Sequence, residues 1–132
     1  IEALLKPTEI YVSVVQTLLN QPNHSIRGMA HITGGGLTDN IVRILPSELA
    51  IEIDTQSWTT PPVFQWLMDQ GQIPIDEMRR TFNMGIGFVI ICPEHDASRL
   101  VAQITQDSHL DAWVMGRVVE SEDQSRVRYS DE

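Results

Sequence analysis

Residues 28–37, Gly-Met-Ala-His-Ile-Thr-Gly-Gly-Gly-Leu, hold the chain's strongest suggestion of chemistry. Alternation of period two runs into Gly34, Gly35 and Gly36, and an apolar helical stripe follows, so the order is strand, glycine turn, helix. Glycines let a backbone turn sharply and approach a ligand with no Cβ between. The N–H groups of Gly35, Gly36 and Leu37 would then lie at the positive end of a helix, where an anion is favoured. The spacing matches neither GxxxxGKS/T nor GxGxxG, so a tight turn with no ligand stands beside that reading.

His31 and Thr33 share one face of the strand just ahead of the glycines. A histidine there could position a substrate oxygen or carry a proton near neutral pH, and the alternative is a structural imidazole hydrogen-bonded inside the turn. Asn40 and Arg43 follow three apart on the helix, away from Leu37 and Ile41, within reach of polar ligand groups. Asp39 precedes Arg43 by four, so a surface ion pair is the default there. Residues 80–87, Arg-Thr-Phe-Asn-Met-Gly-Ile-Gly, put two glycines at the mouth of an apolar strand, where a bulge or close packing is the ordinary meaning. Cys92 ends that strand with no positive neighbour in sequence, which argues against an activated thiolate. His24, His95 and His109 are scattered without ligand spacing, so no metal site is expected.

The elements that must hold these groups alternate between helix and strand. Pro7 fits the first turn of a helix whose stripe is Tyr11, Val14, Val15, Leu18 and Leu19. Strands are predicted over Ile26–Thr33, Leu49–Ile53, Phe88–Cys92, Trp113–Val119 and Arg126–Tyr129. Helices are predicted after the glycines to Leu45, from Pro61-Pro62 with Val63, Trp66 and Leu67 inward, from Pro74 to Thr81, and after Pro93. The acidic run Glu120–Asp123 reads as a solvated turn, and the three tryptophans as core residues. The whole is one α+β domain over residues 1–132, helices packed on a mixed sheet and partly ferredoxin-like, with no repeat or internal linker.

Composition bounds the function. Hydrophobic residues at 42% and charged ones at 20% suit an ordinary globular domain. Nine basic against 18 acidic residues give a net charge of −9, which argues against nucleic acid or an anionic membrane as main partner. A lone cysteine permits no intrachain disulfide and suggests an intracellular, cytoplasmic origin. The opening residues are not expected to be a signal peptide, and the longest apolar run, Phe88–Cys92, is far short of membrane length. The chain opens on helix-like sequence without Met, and a piece of something longer is expected.

GMAHITGGGLTDNIVRILP resembles the glycine-rich signature of the aminoimidazole ribonucleotide synthetases, the phosphoribosylformylglycinamidine cyclo-ligases. MRRTFNMGIGF resembles that family's second C-terminal signature, KPTEIYV the segment before both, and WVMGRVVE its closing strand. Relatives in the wider superfamily typically carry an acidic residue where His31 stands and lack the triple glycine. The resemblance implies most of the C-terminal domain of an ATP-dependent, homodimeric ligase of purine biosynthesis, with the ATP- and Mg2+-binding N-terminal domain outside this chain. It implies a substrate, formylglycinamidine ribonucleotide, held near Gly34, Gly35 and Gly36, with His31, Thr33, Asn40 and Asn83 as side-chain candidates and Arg43 a weaker one. It identifies no catalytic base, and it implies that this chain by itself is inactive. The competing readings are a stand-alone ferredoxin-like ligand-binding or dimerisation module, and another ATP-dependent member of the superfamily.

Overall fold

A computed structural model describes residues 2–122 and 125–131. After a short 3-10 turn at Glu2–Leu4, helix α1 spans Val12–Leu19, strand β1 Gly28–His31, α2 Gly36–Val42 and β2 Leu49–Ile53. Then come α3 (Pro62–Gly71), α4 (Ile75–Thr81), β3 (Phe88–Ile91), α5 (Glu94–Asp107), β4 (Gly116–Glu120) and β5 (Val127–Tyr129). Prolines precede or open α3, α4 and α5, where their fixed φ and missing N–H do least harm.

The α+β architecture with helices on a mixed sheet holds, but the strands form two sheets rather than one layer. β2 is central in a three-stranded sheet, antiparallel to β4 and parallel to β5. β1 and β3 form a separate antiparallel ribbon in which Gly28 faces Ile91 and His31 faces Phe88. The core lies between them. Ala30 and Ile32 from the ribbon side meet Leu37 and Ile41 of α2, Ile51 and Ile53 of β2, Met78 of α4, and Val127 and Tyr129 of β5. Leu37, Ile41 and Met78 are completely buried, so the helix after the glycines is anchored by its apolar stripe.

Several expectations change. The first helix starts at Val12 instead of near Pro7, and Tyr11, at its N-cap, packs its ring on His31 and Phe88. The strand expected from Trp113 begins at Gly116, and Trp113–Met115 lead into it. Trp66 is 52% exposed and Trp113 37%, so neither is a core residue. No residue of α3 is fully buried, and that helix lies over the core edge through Phe64, Leu67 and Met68. Asp123, the end of the expected acidic turn, lies outside the described residues.

Candidate functional site

Antiparallel pairing of His31 with Phe88 has a direct consequence for the loops. The chain leaves β1 just after His31 and enters β3 just before Phe88, so both glycine-containing stretches emerge from the same end of one ribbon. The Ile32 N–H donates to the Gly87 carbonyl at 2.9 Å, which carries the pairing one step into the loops. A Cβ built on Gly36 would strike the Arg79 carbonyl and lie 2.7 Å from that of Phe82. The first turn of α2 therefore rests on the end of α4, and the stretches 33–36 and 82–87 lie side by side.

The glycine turn is shaped by its own backbone. The Gly36 N–H donates to the Thr33 carbonyl at 3.0 Å, so it is not among the free donors expected from the sequence. Gly35 has φ 99° and Gly36 φ 56°, left-handed values that a side chain would strain. Gly34 differs: it is exposed, and a Cβ there would meet nothing within 4 Å. Its surface is the open face of the turn.

The side-chain candidates divide. Asn40 is 6% exposed, and its Nδ2 donates to the carbonyls of Thr33, Gly34 and Gly36 at 3.3, 3.2 and 2.8 Å. Its amide clamps the turn from inside. Arg43 Nη1 reaches Asn40 Oδ1 at 3.4 Å, where an ion pair with Asp39 was the default expectation. Asn83 Oδ1 accepts the Gly85 N–H at 3.0 Å and its carbonyl accepts the Ile86 N–H at 2.9 Å, which turns the second loop tightly. That turn places Met84 at φ 53° and Gly85 at φ 96°. His31 and Thr33 are exposed on the outer side of the ribbon end.

Tyr11, His31 and Phe88 make an aromatic group beside the loops. Tyr11 lies edge-on to His31 with ring centres 5.8 Å apart, and 5.2 Å from Phe88. Burial raises the Tyr11 phenol above its ordinary range, with the nearby Glu9 charge acting the same way. Gly87 has no room for a side chain because Tyr11 is there: a Cβ on Gly87 would collide with the phenol oxygen. Trp58 pins the second loop by donating its indole N–H to the Met84 carbonyl at 3.0 Å. Tyr11 and Trp58 escaped the sequence reading because each acts across a long separation; the need of a half-buried indole N–H for an acceptor was the one available signal.

Away from the turn, a concavity of about 570 Å3 lies along β2, β4 and β5, lined by Glu52, Arg117, Arg128 and Tyr129 among others. A smaller one of about 170 Å3 lies between α1 and α5. Burial raises the Cys92 thiol, so it is no ready nucleophile. Among the described residues no three His, Cys, Asp or Glu side chains are grouped to hold a metal ion. Nor is any helix of the described residues long and apolar enough to cross a membrane.

The arrangement is that of an α+β domain presenting two glycine-turned loops side by side on a ribbon end. Residues 1–128 match the family described as AIR synthase related protein, C-terminal domain, and the chain belongs to that family. A phosphoribosylformylglycinamidine cyclo-ligase of Xanthomonas oryzae pv. oryzae is 47% identical over 128 residues, covering 97% of this chain and 37% of that protein. One from Xylella fastidiosa is 46% identical over 127 residues, covering 96% and 36%. The chain thus spans a little over a third of the length of these curated relatives. The crystal structure of E. coli HypE, a hydrogenase maturation protein, shares the fold, with a TM-score of 0.69 at 21% identity over 92% of this chain and 35% of that one.

Proposed function

We propose that residues 1–132 act as the C-terminal domain of an ATP-dependent cyclo-ligase, which closes the imidazole ring of formylglycinamidine ribonucleotide in purine biosynthesis. The products are aminoimidazole ribonucleotide, ADP and phosphate. The observation that carries this reading is the pairing of the two loops at one ribbon end, with Gly34 open to approach. Similarity to the named cyclo-ligases over nearly the whole chain supports it and disfavours the stand-alone ligand-binding module.

In this reading the chain supplies the substrate wall. Gly34, Gly35 and Gly36 lie under the ribonucleotide, and His31 and Thr33 face it from the ribbon end. Asn40 and Asn83 serve by holding the two turns, and Arg43 flanks them. The ring-closing step needs the amide oxygen phosphorylated and a neighbouring nitrogen aimed at the activated carbon, which is mainly positioning and charge stabilisation. The donor set here does not suit Mg2+–ATP, since the described residues bring no acidic cluster together. ATP and Mg2+ are assigned to an N-terminal domain of the longer protein, which works as a homodimer in the cytoplasm.

Apolar side chains at the N-terminal approach fit an interdomain position. Leu4, Leu5, Ile10 and Val12 are exposed at 54–74%, and the last two flank Tyr11. Val89 and Ile91 of the apolar β3, by contrast, are turned into or onto the core.

The test is turnover by the full-length protein that contains this chain. ATP-dependent conversion of formylglycinamidine ribonucleotide to aminoimidazole ribonucleotide, with one phosphate per ring closed, is the expected result. A folded enzyme that consumes neither substrate would overturn the reading. Calorimetry of the 132-residue chain with Mg2+ and ATP should show no binding, and micromolar affinity would refute the assignment of ATP to another domain.

A further inference from the structure

Behind the glycine turn lies a buried cation. Arg79, in the last turn of α4, is 6% exposed. Its Nη2 donates to both carboxylate oxygens of Asp131, at 2.7 and 2.6 Å. The guanidinium carbon stands 4.0 Å over the centre of the Tyr129 ring, a cation–π arrangement. The Tyr129 hydroxyl in turn shares a 2.8 Å hydrogen bond with the Thr38 hydroxyl on α2. Asp131 is held in place because the Ser130 N–H donates to the Ile53 carbonyl at 2.9 Å, extending β5 along β2.

These contacts converge on the turn from two sides. The Arg79 carbonyl lies directly against Gly36, and Thr38 is two residues further along α2. Removing a carboxylate partner from a guanidinium this buried is costly, so Asp131 helps to hold the end of α4 in place. We propose that Arg79 is a positioning residue for the glycine turn, locked by Asp131 and Tyr129 so that Gly36 is seated and Gly34 faces the substrate correctly. This rests on the reading of the turn as the substrate wall. The residues after β5, far from the signature in sequence, thereby govern affinity for the ribonucleotide without touching it.

The test uses the full-length enzyme and compares Asp131→Asn, Asp131→Glu and Tyr129→Phe. Asp131→Asn should raise KM for formylglycinamidine ribonucleotide about 10-fold while kcat changes less than about 3-fold, as expected when binding geometry alone is disturbed. Amide hydrogen exchange should accelerate at residues 34–38 and stay unchanged in β1. Asp131→Glu should restore both readouts, and Tyr129→Phe, which keeps the ring but frees Thr38, should fall between. Unchanged KM and unchanged exchange in Asp131→Asn would overturn the proposal. So would a KM rise that comes with faster exchange throughout the domain and a matching fall in Tm, since that marks general loosening. If the wild-type enzyme forms no aminoimidazole ribonucleotide, the functional reading fails, and exchange at residues 34–38 alone still decides the coupling.

Discussion

The Asn40 amide meets the Gly36 carbonyl at 2.8 Å, and the same nitrogen reaches the carbonyls of Thr33 and Gly34. A single side chain thus gathers three carbonyls that a tight turn leaves pointing inward. Asn40→Asp keeps the size but sets a carboxylate oxygen against those carbonyls. It should cost about 2–4 kcal/mol of folding stability, the range for a buried polar group that loses its partners and gains a charge. Urea unfolding of the chain measures this. Wild-type stability with weakened substrate affinity would instead mean that Asn40 works outward.

The three glycines should answer substitution differently. Gly36→Ala drives a methyl into the Arg79 carbonyl at a left-handed φ and should destabilise by about 2 kcal/mol or more. Gly35→Val is also strained, at φ 99° with the Asp39 Cβ 3.1 Å from the new atom, so lost activity there would not separate fold from binding. Gly34→Ala is the clean probe, because its Cβ enters open space. Its Tm should stay within roughly 2 °C of wild type, the expectation for a substitution that meets no neighbour, while ribonucleotide affinity falls. Unchanged affinity in Gly34→Ala would remove the turn from the substrate wall.

His31 stands exposed at the ribbon end, edge-on to Tyr11. His31→Ala should lower turnover by roughly 10- to 1,000-fold if the imidazole polarises or shuttles a proton, with little change in stability. His31→Phe keeps the packing on Tyr11 and Phe88 and should be no better. Activity retained by His31→Phe but lost by His31→Ala would show that only the ring's bulk matters.

The segment before α1 is tied to the end of α5 by Glu9 and His109, 2.8 Å apart. The hydrogen bond with His109 holds the Glu9 carboxyl below the usual carboxylate range. Because the folded value is the lower one, this tether contributes fully above the unfolded carboxylate range and is lost as pH falls through the folded value. A carboxyl titration followed by NMR should place the Glu9 midpoint below that of an ordinary glutamate, and His109→Ala should bring it back. A midpoint that ignores the substitution would leave the tether without effect.

Local pattern made much of this fold legible. Leu49, Ile51 and Ile53 recur at period two, and the strand occupies Leu49–Ile53; the stripe of Leu37 and Ile41 buries completely. Alternation around His31 also set His31 and Thr33 on one face of the strand, and in the fold both are exposed while Ala30 and Ile32 between and beside them are buried. Pairing was not legible, because β1 meets β3 across more than 50 residues and nothing local marks a ribbon as separate from the β4-β2-β5 sheet. Turn bracing was not legible either: Asn40 and Asn83 look like ligand groups in sequence, and in the fold Asn40 Nδ2 donates to the Gly36 carbonyl while Asn83 Oδ1 accepts the Gly85 N–H. Arg79 was hidden for the converse reason, since only the fold brings Asp131 to it.

The β1–β3 ribbon has no third strand among the described residues, and two strands by themselves are marginal in water. Its persistence depends on what leans against it, namely Tyr11 at the mouth and α2 behind. Warming should therefore melt the mouth of the ribbon before the rest of the domain, and turnover should fail several degrees below the global transition. Heat sensitivity in such an enzyme would be a property of a two-stranded stalk, and strengthening the stalk alone should widen its working temperature range.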